Sequence, residues 1–258
     1  MLADLILGFA AGVAVATVTA PVGVSGAVFM LPIQLSLLGV PNPAVTPTNL
    51  LYNVIAGPGA LFRYGRAGLV NGPLTRLLLA GTIPGVIVGA IVRVFLLPGP
   101  EAFRVVAGFV LLTLGAWLIR RTLSPPDVRG SLTPRAVVGL ALGVGVVGGV
   151  YGIGGGSILS PILVGSGMTM AVVAPAALAS TFVTSIIGAL TFAVLALFAD
   201  GSIAPDGTIG IACGLGGLVG GYLGARLQPR LPEEALRLLL GCLALGIGAL
   251  YLIEGLVS

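Results

Sequence analysis

The sequence predicts an all-α, polytopic membrane protein of about ten transmembrane segments, in two inverted five-segment repeats with a broken helix in each half. Three observations carry that expectation. Of 258 residues, 57% are hydrophobic and 8% charged, whereas soluble domains carry about 25% charged residues; this chain cannot cover a water-facing surface. A glycine-rich stretch closed by proline occurs twice, as Gly23-Val24-Ser25-Gly26-Ala27-Val28-Phe29-Met30-Leu31-Pro32 and as Gly152-Ile153-Gly154-Gly155-Gly156-Ser157-Ile158-Leu159-Ser160-Pro161. Finally, the basic residues, all 12 of them arginines, are distributed unevenly between the connecting loops.

Apolar stretches run over 2–20, 23–40, 44–62, 74–97 and 102–119, then over 134–150, 153–170, 171–199, 207–227 and 234–255. A crossing needs about 20 apolar residues. The first stretch carries Asp4 and lacks a basic flank, so it reads as a span and not a signal peptide. The second is broken by Gly23, Gly26 and Pro32, because a helix-interior glycine costs roughly 1 kcal/mol against alanine. A re-entrant hairpin is therefore open beside a crossing, there and in the seventh stretch, where four of the five positions 152–156 are glycine. The third and eighth stretches carry polar runs, Thr48-Asn49-Leu50-Leu51-Tyr52-Asn53 and Ser180-Thr181-Phe182-Val183-Thr184-Ser185. The fourth and ninth contain Gly85-xxx-Gly89-Ala90 and Gly220-xxx-Gly224-Ala225, a spacing that reads mainly as close helix packing. The fifth and tenth align at an offset of 133, Glu101-Ala102-Phe103-Arg104 with Glu234-Ala235-Leu236-Arg237.

A duplicated unit of about 130 residues is far longer than a solenoid repeat. It divides the chain into an N-terminal repeat over 1–121, a linker over 122–133 and a C-terminal repeat over 134–258, the linker holding Pro125, Pro126, Asp127 and Arg129. If all ten stretches cross, Arg63, Arg66, Arg76, Arg120, Arg121, Arg129, Arg135, Arg226, Arg230 and Arg237 share one side. Arg93, Arg104, Asp200 and Asp206 then lie opposite. Re-entry of both glycine stretches would make the arginine split seven against five. The positive-inside rule favours ten crossings, a cytoplasmic linker and external termini. Five spans per half also invert the repeats, as secondary transporters do.

Histidine is absent and no acidic residue lies near the centre of a span. Metal sites, cofactors and the usual proton relays are not expected, and general acid–base catalysis has no groups to use, so the chain reads as no enzyme. No basic run is interleaved with aromatics, which argues against a nucleic-acid partner. Cys213 and Cys242 read as small apolar packers, and Arg93 and Arg226 as interfacial anchors. The polar groups left in the apolar stretches are neutral, and they gather at each break and on the span after it. Asn49 and Asn53 are four apart, as are Thr181 and Ser185, so each pair shares a helix face. The substrate-binding candidates are Ser25, Gly26, Thr48, Asn49 and Asn53 in the first half. In the second half they are Gly154, Gly155, Gly156, Ser157, Ser180, Thr181, Thr184 and Ser185. Amides and hydroxyls beside free helix N–H groups suit a small anion, although any one serine or threonine more often bonds its own i−4 carbonyl.

These elements resemble the TauE/SafE family of sulfite exporters and related small-anion permeases: a GxGGGxxxxP element early in each half, a Ser/Thr-rich span next, and Gly-xxx-Gly-Ala later. The second copy, Gly152–Pro161, follows the pattern closely; the first has Ser25 and Ala27 in place of glycine, and Thr48-Asn49 and Ser180-Thr181 stand where the family tends to Thr-Ser. The resemblance implies a secondary-active transporter in the plasma (inner) membrane, moving sulfite, a sulfonate or another organosulfur anion across the lipid bilayer. A passive anion channel and a non-transporting membrane assembly factor are the alternatives. A coupling ion, with the proton as candidate, and homodimeric assembly are left open.

Overall fold

A computed structural model describes residues 2–66, 68, 70–97, 100–124, 132–198, 203–230 and 232–257. Asp200 and the linker residues Pro125, Pro126, Asp127 and Arg129 lie outside the described residues. Among the described residues the fold is all-helical, without strands. The N-terminal half comprises α1 (Leu2–Thr19), α2 (Ala27–Pro32), α3 (Val45–Arg66), α4 (Pro73–Phe95) and α5 (Pro100–Leu123). The C-terminal half comprises α6 (Pro134–Tyr151), α7 (Gly156–Gly165), α8 (Met170–Leu195), α9 (Gly207–Leu227) and α10 (Glu233–Val257). Each coincides with one apolar stretch of the sequence. Local chemistry sets several ends: Thr133 caps α6 by accepting the Ala136 N–H ahead of Pro134, and Asp206 caps α9 by accepting the Ile209 N–H at 2.9 Å.

Among the described residues six helical segments are long and apolar enough to cross a membrane: Leu2–Val22, α4, Arg104–Leu123 within α5, α6, α8 and α9. α2 runs on through a π-helical turn, Ile33–Leu37, as one apolar piece Ala27–Leu37, and α7 has 10 residues. At 1.5 Å per residue these are about 16 and 15 Å long, half the hydrocarbon core of about 30 Å. The backbone therefore breaks where the glycines stand. Gly152 ends α6 with φ +74°, and Gly23 ends the short 3₁₀ turn Ala20–Val22 with φ +70°. A left-handed residue at that point lets the chain reverse at little cost only when it lacks Cβ.

Glycine ladders hold the helices together. A Cβ on Gly216, Gly220 or Gly224 of α9 would lie 2.0, 2.3 or 2.6 Å from the carbonyl oxygens of Phe9, Val13 and Thr17 in α1. On Gly81, Gly85 and Gly89 of α4 it would lie 2.3, 2.5 and 2.2 Å from those of Val138, Leu142 and Val146 in α6. Numbers rise together in both ladders, so α1 runs parallel to α9 and α4 parallel to α6. In lipid, close backbone approach replaces the hydrophobic drive that assembles water-soluble bundles. α3 and α8 cross antiparallel at the centre, Gly57 facing Phe182 and Gly188 facing Leu50. α5 and α10 pair with each other and bring Leu114, Leu118 and Ala244 against Val24 and Phe29 of the first break.

Arg93 departs from the sequence reading. It is fully buried and does not lie at an interface with solvent. Its Nε donates to Thr46 Oγ1 at 3.1 Å, and its Nη groups donate to the Leu97 carbonyl and to Asn42 Oδ1. The connection into α3 folds over the guanidinium, whose rigid fork suits several oxygens at once. Arg226 is exposed at the end of α9.

Candidate functional site

At the first break α3 grips the start of α2. Ser25 Oγ donates to Asn53 Oδ1 and accepts the Ala27 N–H at 3.2 Å, while Asn49 Nδ2 donates to the Ala27 carbonyl at 2.9 Å. Asn49 and Asn53 act together because they lie one turn apart on one face. Thr48 faces elsewhere: Oγ1 donates to the Ala44 carbonyl at 2.7 Å and accepts the Asp206 N–H at 2.8 Å.

The second break has the same plan with smaller side chains. The Gly155 N–H donates to Thr184 Oγ1 at 3.1 Å, and Thr184 in turn donates to the Ser180 carbonyl at 2.7 Å. Ser157 Oγ donates to the Ile153 carbonyl at 3.1 Å and lies 3.5 Å from Thr181 Oγ1; Ser180 Oγ and Thr82 Oγ1 are 2.9 Å apart. The glycines permit contact that no side chain would. A Cβ on Gly156 would fall 1.9 Å from the Ala177 carbonyl oxygen, on Gly154 2.9 Å from Ser185 Oγ, and on Gly155 2.5 Å from Thr82. Ser25 with Asn53 thus corresponds to Gly154 with Ser185, and Gly26 under Tyr52 to Gly155 under Thr184.

A cavity of about 30 Å³ lies between α1, α3, α8, α9 and the first break. A water needs some 10–15 Å³ measured this way, so the space takes about two. Ser25, Gly26, Asn53 and Thr181 line it, joined by Thr19 and Tyr52; most of the remaining wall is alanine and glycine. Thr48, Asn49, Gly154, Gly155, Gly156, Ser157, Ser180, Thr184 and Ser185 are not in its lining. Thr19 Oγ1, Tyr52 OH and Asn53 Nδ2 are buried without a hydrogen-bond partner, and none of the three residues is more than 2% exposed. Ser185 Oγ, Asn49 Oδ1 and both amide atoms of Gln34 are also buried and unpartnered, outside that lining. Buried polar groups are ordinarily satisfied, so three bare donor-bearing groups around one cavity make it a place for water or a small polar ligand. Among the described residues no aspartate or glutamate lines it, and no group of three or more His, Cys, Asp or Glu could hold a metal ion. Thr19 was not singled out in the sequence. Its role depends on the chain turning back after α1, which leaves no local signature. Tyr52 stands in the polar run of the third stretch but one residue off the Asn49–Asn53 spacing.

The profile of a family described as sulfite exporter TauE/SafE matches residues 8–251. The chain belongs to that family. No curated protein and no solved structure gives a match to it. As a TauE/SafE protein it is a multi-pass membrane transporter with a small anionic substrate, and a donor-lined cavity without carboxylates has the electrostatics that such a substrate requires.

In this TauE/SafE chain a set of hydrogen bonds lies beside the cavity at the C-terminal end of α3. Tyr64 OH donates to Gln228 Oε1 at 2.9 Å and lies 3.5 Å from the Ala20 carbonyl, while Gln228 Nε2 donates to the Pro21 carbonyl at 2.8 Å. Ala20 and Ala60, one turn before Tyr64, belong to the cavity wall. The latch joins α3, the end of α9 and the first break.

Proposed function

We propose that this TauE/SafE protein is a secondary-active transporter that carries a small anion, sulfite, a sulfonate or another organosulfur anion, across the plasma membrane. The observation that carries the reading is the cavity at the first break, lined by Ser25, Gly26, Asn53 and Thr181, with buried unpartnered donors and no acidic group among the described lining residues. The other candidates at the two breaks hold the broken helices in place around it.

Alternating access between two inverted five-segment repeats is supported by three features of the packing. α3 and α8 hold the same place in the two halves and run in opposite directions. α4 and α9, also equivalent, exchange partners: α4 packs on α6 and α8, α9 on α1 and α3. The broken stretches also pass from one end of α3 to the other. Ala20 lies beside Tyr64, while the Pro41 carbonyl accepts the Val45 N–H at 3.0 Å in the first turn. Twenty-two residues of α3 measure about 33 Å, so the chain from Ala20 to Pro41 traverses a membrane thickness in two pieces. Gly152, packed against Thr46, begins the matching passage in the second half.

The Tyr64–Gln228–Pro21 latch then closes the side on which Arg63 and Arg66 stand, which the positive-inside rule makes cytoplasmic. No carboxylate is offered to a coupling proton by the cavity lining; a proton would travel on the anion itself or through Tyr52 and water. The test is uptake of radiolabelled sulfite into proteoliposomes under an imposed pH gradient. Accumulation above the equilibrium level is expected. Equilibration without accumulation would make the protein a channel, and no flux for sulfite, methanesulfonate or sulfoacetate would make it a non-transporting factor.

A further inference from the structure

We infer that the two breaks are functionally unequal: the anion is held at the first, by Thr19, Tyr52 and Asn53, and the glycine-rich second break is a hydrogen-bonded joint. This rests on the transporter reading above and assigns the place and shape of its site.

The destination of the donor hydrogens separates the two breaks. At the second break the Gly155 N–H is spent on Thr184, the Thr184 hydroxyl on the Ser180 carbonyl and the Ser157 hydroxyl on the Ile153 carbonyl. Ser185 retains an unpartnered hydroxyl there, facing the backbone of Gly154. The Gly155 N–H is therefore not free for an anion; it is one of the four N–H groups at that helix start. At the first break the N–H groups of Ala27, Val28, Phe29 and Met30 are all bonded, and the bare donors are side chains. Ser25 spends its hydrogen on Asn53 Oδ1, which turns the Asn53 amide so that Nδ2 remains bare. Tyr52 OH and Thr19 Oγ1 are bare as well, and all three residues line one cavity. An amide NH₂ has two hydrogens and each hydroxyl one, so the cavity offers four donor hydrogens.

The same cavity limits the cargo. About 30 Å³ is room for about two waters, so a four-heavy-atom oxyanion enters only as the wall gives way, and a bulkier anion is excluded. Its floor is set by Phe182, whose ring would lie 2.7 Å from a Cβ on Gly57 and so has no room to withdraw toward α3. Donors without a fixed positive charge also favour a singly charged or readily dehydrated anion, since nothing compensates a second buried charge. The ligand class is a compact, weakly hydrated oxyanion bearing no bulky substituent.

The test is calorimetric titration of sulfite, with methanesulfonate and benzenesulfonate as larger probes, into the purified full-length protein. Tyr52→Phe removes one oxygen, and Asn53→Asp keeps the acceptor for Ser25 while replacing the free NH₂ by an anionic oxygen. Each should raise the sulfite Kd about tenfold or more, equivalent to about 1.4 kcal/mol per tenfold, with the unfolding midpoint held in Tyr52→Phe. Asn53→Asp should be worse than Asn53→Ala, an order that a packing role would not produce. Thr82→Ala at the second break should change Kd less than twofold, and benzenesulfonate should not compete. If wild type binds sulfite but the Tyr52 and Asn53 variants bind it equally well, or Ser185→Ala is the variant that loses it, this site is overturned and the transporter reading stands. If wild type binds none of the three anions, both fall.

Discussion

Replacing Gln228 by leucine should unlock the cavity from the side of the α3 C-terminus. Gln228 is the middle of the latch: its Oε1 takes the Tyr64 hydroxyl at 2.9 Å and its Nε2 reaches the Pro21 carbonyl at 2.8 Å. Leucine has similar volume and makes neither bond. An intramolecular hydrogen bond contributes a net of about 1 kcal/mol, so the closed state should lose about 2 kcal/mol, a roughly 30-fold shift toward open. The 3.5 Å contact of Tyr64 with the Ala20 carbonyl survives and keeps the estimate from rising further. The readout is the alkylation rate of Ala60→Cys, a wall residue of the cavity, in a background with Cys213 and Cys242 changed to alanine. When opening and closing are faster than labelling, the rate follows the open population. A rise of about 30-fold in inside-out vesicles is expected for Gln228→Leu, with no matching rise in right-side-out vesicles. An unchanged rate in a folded Gln228→Leu protein would refute the latch, and an equal rise from both sides would mean general loosening.

Three further outcomes follow from the packing. Gly156→Ala should destabilise the fold by about 1–3 kcal/mol or more, because overpacking forces backbone apart and its Cβ would lie 1.9 Å from the Ala177 carbonyl; Gly143→Ala, with nothing within 4 Å, should gain up to about 1 kcal/mol, both read by thermal unfolding in detergent. Arg93→Lys should lower stability by about 1.5–3 kcal/mol for each charged hydrogen bond that a single ammonium fails to replace, measured the same way, and no change would show that the guanidinium fork is dispensable. Cysteines placed at Asn71 and Ser124 in a cysteine-free protein should resist an impermeant reagent in intact cells, since the arginine-rich loops are expected to be cytoplasmic; labelling of either reverses the topology.

The sequence by itself determined the helical segments and both breaks. Hydrophobic runs, Gly23, Gly152 and Gly154 with positive φ, and the caps at Thr133 and Asp206 act over a few residues, so their signal lies within reach of a linear reading. The Gly-xxx-Gly pairs were likewise legible as packing positions, because a bare backbone on one helix face has few other uses. What only the tertiary structure decided is which polar groups are already occupied. Asn49 and Asn53 look equivalent in the chain, one turn apart on the same face, yet the amide of Asn49 is spent on the Ala27 carbonyl while that of Asn53 is left bare. Thr19 joins the cavity because the chain doubles back after α1, and Arg93 is buried because residues some 50 positions away close over it. Donor satisfaction depends on partners distant in sequence, and those partners meet only once the two halves have packed.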